Sequence, residues 1–250
     1  MSSPLSPPSP TAPRFALRHV QMARAGIAAI AAIMVTFSPD HSASVGLAVF
    51  SGFAIVTGLI ELISAWLTYP VGRRAAPVLL GALSVIAGML AGIVGWRSTT
   101  FFFALVITWA IVTGLIEAIW ALRERRVPAL RPEARDSLVV GGITVVLGLG
   151  LLLVPVQYVL TYSIENPATQ AADEFTLTGI IIAVGIFGGY AAIVAVFLGI
   201  AGFSPQRQAI VTTSPDVSAT NGAATDVADA ARRDRNAQAS REGSRKGETA

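Results

Sequence analysis

The chain has 250 residues, of which 53% are hydrophobic and 13% charged, with a mean hydropathy of +0.64 and a formal net charge of +3. So apolar and charge-poor a composition excludes an average soluble domain, and the scattered basic residues, with no aromatic-interleaved patch, argue against a nucleic-acid partner. The absence of cysteine excludes disulfides, thiolate metal sites and cysteine nucleophiles.

In chain order, a Pro- and Ser-rich head over residues 1–19 cannot bury a core and is expected to stay disordered. Six apolar stretches follow, at 20–37, 45–68, 77–96, 100–122, 138–160 and 177–203. Each approaches the roughly 20 helical residues that a bilayer core about 30 Å thick requires. The fold expected over residues 20–203 is therefore all-α, a polytopic bundle of six transmembrane helices whose partner is the lipid bilayer. Arg24 lies near the start of the first span, from where an arginine can snorkel to the headgroups. Pro155 is expected to kink or end the fifth span, because it removes a backbone donor. Residues 161–176 read as a solvated acidic loop carrying Glu165, Asp173 and Glu174. Residues 204–250 mix charges with Ala, Ser, Thr and Asn and read as a disordered tail, with room for a short helix near 227–235.

Arginine placement sets the expected orientation, since short basic loops remain in the cytoplasm. Arg14 and Arg18 precede the first span, Arg73 and Arg74 follow the second, Arg123, Arg125, Arg126, Arg131 and Arg135 follow the fourth, and Arg207 follows the sixth. The opposite loops hold only Arg97. The expectation is a multi-pass protein of a bacterial inner membrane with both termini cytoplasmic.

The octapeptide Ala54-Ile55-Val56-Thr57-Gly58-Leu59-Ile60-Glu61 recurs unchanged as Ala110-Ile111-Val112-Thr113-Gly114-Leu115-Ile116-Glu117, in the second and fourth spans. Both spans run the same way, so the repeat is parallel and its unit contains two spans. Leu83-Ser84-Val85-Ile86-Ala87-Gly88 loosely matches Ile143-Thr144-Val145-Val146-Leu147-Gly148 in the odd spans. A fainter third copy aligns Gly189 with Gly58 and Gly114 and puts Ala192 where the glutamates stand. The bundle is thus expected to comprise three helical hairpin repeats, two of them closely related.

These hairpins, with Gly-rich odd spans ending near Ser38-Pro39, Gly95-Trp96 and Val154-Pro155 and even spans with a Gly-Leu-Ile-Glu core and a basic exit, resemble the HdeD family of six-span bacterial membrane proteins. The resemblance covers about residues 20–203. It implies an inner-membrane protein linked to acid resistance, without an established biochemical activity. The Pro-rich head, the long tail and the third repeat without its carboxylate depart from the family pattern.

Glu61 and Glu117 are the acids well inside the spans. An ionised carboxylate in hydrocarbon costs about 2.5 to 3.5 kcal/mol on insertion scales, so each must face protein or water or be protonated. Thr57 and Thr113 lie one turn away on the same faces, where a hydroxyl could satisfy each acid. The pair is either a proton- or cation-responsive site or a protonated polar contact between helices. Gly58 and Gly114, with the GxxxG pairs Gly88/Gly92 and Gly185/Gly189, are expected at helix contacts inside the bundle, a homo-oligomer interface being the alternative. His19 and His41 fall on opposite sides of the membrane and suggest no metal site. No nucleophile triad, P-loop, dinucleotide fingerprint or zinc-protease motif appears, so neither enzymatic activity nor a cofactor is expected. Three functions fit: a non-enzymatic protein of HdeD type in envelope or acid-stress tolerance, a small proton- or solute-conducting transporter using Glu61 and Glu117, and a scaffold that recruits a partner through its tail.

Overall fold

The computed structural model describes residues 17–165 and 172–203. The expectations for the head up to residue 16 and for the tail at 204–250 lie outside the described residues. Six helices run as α1 (Leu17–Phe37), α2 (Ala43–Leu67), α3 (Ala75–Gly92), α4 (Thr99–Glu124), α5 (Arg131–Leu152) and α6 (Gly179–Phe203). All six are long and apolar enough to cross a membrane. Their outward faces carry Ile33, Ile63, Met89, Leu122, Val146 and Ile193, each more than half exposed. Apolar surface on that scale requires a lipid environment, and the protein is an integral membrane protein.

Local chemistry sets the helix ends. The Ser42 and Ser98 side chains accept hydrogen bonds from the Val45 and Phe101 backbone N–H groups, capping the starts of α2 and α4. The fifth span starts and stops earlier than expected, at Arg131 and Leu152, and of the two outcomes expected at Pro155 the helix ends ahead of it and is not kinked by it. The acidic loop after it is also more ordered than its composition suggests. Strands β1 (Val159–Glu165) and β2 (Ala172–Thr178) pair antiparallel, with Leu160 opposite Leu177 and Tyr162 opposite Phe175. The Tyr162 and Phe175 rings stack at 5.8 Å, a cross-strand aromatic pair of the kind that stabilises a hairpin.

The helices close a ring in which the tightest pairs are α2 with α3, α4 with α5, and α1 with α6. This shifts the expected hairpins by one helix, since the sequence reading paired each odd span with the even span after it. Glycine is the reason. A Cβ at Gly58 would lie 2.6 Å from the Gly81 carbonyl oxygen and 2.9 Å from Val85 Cγ2; at Gly114 it would lie 2.8 Å from the Gly141 oxygen and 2.8 Å from Val145 Cγ2. Lower on the same faces, Gly88 packs on Ile55 and Gly148 on Ile111. The identical octapeptides therefore meet matching partners, and both contacts depend on backbones approaching without side chains between them.

The other glycine pairs diverge. Gly92 touches the Ser51 hydroxyl at 3.3 Å from its would-be Cβ, whereas Gly185 and Gly189 have nothing within 4 Å and face away from the bundle. The contact of α6 with α1 uses Gly188 against Val35 and Gly202 against Met22 instead. The GxxxG spacing picks a helix stripe, and in α6 the packed stripe is the one offset by a residue.

These contacts predict that Gly58→Ala and Gly114→Ala each lower the thermal midpoint of the detergent-purified protein, at an overpacking cost of about 1–3 kcal/mol. Gly185→Ala is expected to leave the midpoint unchanged, and a Gly58→Ala protein as stable as the parent would contradict the packing described.

Candidate functional site

At about 1.5 Å per residue, Arg24, Glu61 and Glu117 all lie a similar distance inside the basic end of the bundle. That end carries the α2–α3 and α4–α5 connections. Arg24 belongs to the second turn of α1, and the two glutamates to the last turns but one of α2 and α4. The three side chains meet. Arg24 Nη2 lies 3.1 Å from Glu61 Oε1, and Nη1 lies 3.7 Å from Glu117 Oε1. Arg24 does not snorkel to the headgroups: its side chain is only 18% exposed, and those of Glu61 and Glu117 are 8% and 11% exposed. Two anions in the same low-dielectric space attract a cation more strongly than an exposed headgroup does, and the planar guanidinium fork can serve both at once.

The threonines do not take the part expected of them. Thr113 donates its hydroxyl proton to the Trp109 carbonyl oxygen at 2.6 Å, and the buried Thr57 hydroxyl has no partner among the described residues. Glu61 Oε2 and Arg24 Nε are likewise buried and unpartnered there. With every group ionised, the triad sets one positive charge against two negative ones.

Above the triad a vestibule of about 80 Å³ opens at the basic end, walled by Gln21, Tyr69, Trp120, Ser137 and Leu198 among others. A second charge cluster lies at its mouth. Arg73, in the α2–α3 connection, donates from Nε and Nη2 to Glu124 Oε1 at 3.1 and 3.0 Å, and its Nη2 lies 3.9 Å from Glu133 Oε2. Gln21 Nε2 donates to Asp136 Oδ2 at 3.5 Å. Burial pushes the Tyr69 phenol up to about 12, so it lines the mouth as a neutral hydroxyl.

Below the triad lies a smaller cavity of about 20 Å³. Its wall includes Thr57, Ser84, Trp109, Thr113, Thr144 and Tyr190, together with all three charged residues. Trp109 Nε1 donates to Ser84 Oγ at 3.2 Å, and the Tyr190 hydroxyl lies 3.1 Å from Thr144 Oγ1. Beyond this cavity the three even helices meet through rings. Phe50 and Phe53 of α2, Trp109 of α4, and Phe187 and Tyr190 of α6 contact one another at centroid distances of 5.2 to 6.3 Å, mostly edge to face. This aromatic layer separates the polar cavity from the end that carries the β-hairpin. The opening described beside the triad is the vestibule at the basic end.

Glu61, Glu117, Thr57 and Thr113 all border the lower cavity, while Gly58 and Gly114 bring α3 and α5 against the helices that carry the acids. Sequence reasoning missed Arg24 as the partner of both acids, and missed Ser84, Thr144 and Tyr190 as cavity lining. The signal for Arg24 was present: a cation inside a span must find an anion or water. Family models, curated proteins and solved structures give no match to this chain.

Removing one member of a buried ion cluster leaves an uncompensated charge, at a cost of about 3–5 kcal/mol. Arg24→Gln alone is thus expected to destabilise the bundle more than Arg24→Gln combined with Glu61→Gln and Glu117→Gln. A thermal-unfolding cycle in detergent checks this, and additive losses across the three sites would show that the side chains do not interact.

Proposed function

We propose that the protein conducts protons or a small solute across the membrane through its bundle, with Glu61 and Glu117 as the exchanging groups and Arg24 as their internal counter-charge. One observation carries this reading: ionisable side chains from three different helices converge at the floor of a vestibule open to one side, with a carboxylate in excess. A purely structural contact has no need of two carboxylates on one guanidinium, nor of access from outside. By the distribution of Arg73, Arg74, Arg123, Arg125 and Arg126, the open side is the cytoplasmic one and both termini lie with it. The aromatic layer then acts as the closed outer barrier.

Proton uptake by a carboxylate removes its attraction for Arg24 and frees the guanidinium to pair wholly with the other acid. Since Glu61 and Glu117 sit on different helices, such a swap changes which helix α1 is tied to. That is a two-state element of the kind proton-coupled passage requires. In the setting implied by the HdeD resemblance, the same exchange would serve envelope or acid-stress tolerance in a bacterial inner membrane.

The competing reading is a static brace, favoured by the 3.1 Å contact that ties α1 to α2. Purified protein in liposomes with an entrapped pH dye separates the two under an imposed potential. Conduction predicts protein-dependent proton flux that disappears in the Glu61→Gln/Glu117→Gln variant while the bundle stays folded. Flux unchanged in that variant, or no protein-dependent flux for protons or solutes, leaves the brace.

A further inference from the structure

The lower cavity has features that proton exchange at the triad does not use. Its volume of about 20 Å³ suits roughly one water-sized occupant. Two of the residues that line it carry an oxygen, Glu61 Oε2 and Thr57 Oγ1, that is buried without a hydrogen-bond partner among the described residues. Both residues are only 6% exposed, and they stand one turn apart on the same face of α2. Opposite them are hydroxyls. Thr113 gives its proton to the Trp109 carbonyl oxygen, and Thr144 gives its own to the Val140 carbonyl oxygen while accepting from the Tyr190 hydroxyl, so Thr113 keeps two oxygen lone pairs and Thr144 one.

Charge narrows the occupant. Arg24 spends its Nη1 and Nη2 groups on Glu117 Oε1 and Glu61 Oε1, so with both acids ionised one guanidinium offsets one of two carboxylates. A single positive charge would neutralise the cluster, and a divalent ion would overcharge it. The uncharged ligands on offer are all oxygens, the donors that hard cations prefer. Arg24 is the cationic group on the wall, and it is held at the rim by its two carboxylates.

We propose that the lower cavity binds one alkali cation, held by Glu61 Oε2 and the Thr57 hydroxyl beneath the Arg24 pairs. The inference rests on the reading of the triad as a site with one exchangeable positive charge, and it names an ion other than the proton as the occupant. The ion enters from the vestibule, past Arg24, because the aromatic layer closes the other route.

The test uses the full chain in detergent, with thermal midpoints followed in sodium chloride, potassium chloride and choline chloride at equal ionic strength. Ligand binding to the folded state raises the midpoint in a saturable way, so the alkali salts should do this and choline should not. Thr57→Val keeps the side-chain shape without the hydroxyl and should weaken the apparent sodium affinity by at least about tenfold; Glu61→Gln should abolish the effect. Identical curves in alkali and choline salts overturn the proposal, as does a saturable sodium effect that Thr57→Val leaves intact. If Glu61→Gln fails to fold, the Thr57→Val comparison still decides. Glutamate-dependent proton flux without any alkali effect would overturn the cation site and leave the proposed conduction standing, whereas loss of both removes both.

Discussion

A buried guanidinium shared by two carboxylates organises this bundle. Each of the three charges alone would be expensive at that depth in a membrane, and together they fix where α1 must sit. Arg24 can reach both Glu61 and Glu117 only if α1 approaches α2 and α4 at one level, as it does. The rest of the polar interior follows from this arrangement. The vestibule above it and the hydroxyl-lined cavity below it share the same three side chains as floor and roof. The cluster is thus at once a packing constraint and the point where any ion passing between the two spaces meets charge.

Two kinds of contact divide the labour. Glycine sets the close helix pairs, with Gly58 against Gly81 and Gly114 against Gly141, and it does so by dispersion at short range, where lipid offers no hydrophobic drive. The even helices instead meet through rings, from Phe50 and Phe53 to Trp109, Phe187 and Tyr190. Edge-to-face aromatics fill space without polar atoms, apart from the Trp109 N–H and the Tyr190 hydroxyl, and both of those turn to hydroxyl partners on α3 and α5. The aromatic layer therefore packs against the lower cavity, and its polar edges finish the cavity wall.

Much of this was legible in the residues. Hydropathy marks all six helices, because lipid demands a run of apolar residues whatever the tertiary fold. The octapeptides mark both the glycine contacts and the two acids. What hydropathy could not convey was pairing. A repeat unit of two spans can be cut before an odd helix or before an even one with equal regularity, and the chain's closest pairs follow the second cut. Arg24 was misread because, taken alone, an arginine near a span's start does well at the headgroups; only the arrival of two carboxylates from other helices reverses that preference. In α6, spacing alone could not tell the stripe with Gly185 and Gly189 from the packed one with Gly188. The β-hairpin was hidden by its acidic residues, although Leu160 and Tyr162 alternate with polar neighbours in period two, the mark of a strand.

The most direct measurement of the central interaction is solid-state magnetic resonance on the protein in lipid bilayers, with arginine ¹⁵N and glutamate side-chain ¹³C labels. The account predicts that the Arg24 guanidinium nitrogens couple to glutamate carboxyl carbons, that the coupling is lost in Glu61→Gln/Glu117→Gln, and that lipid phosphorus has no effect on the Arg24 signal. Coupling of Arg24 to headgroup phosphorus, with none to carboxyl carbon, would contradict it.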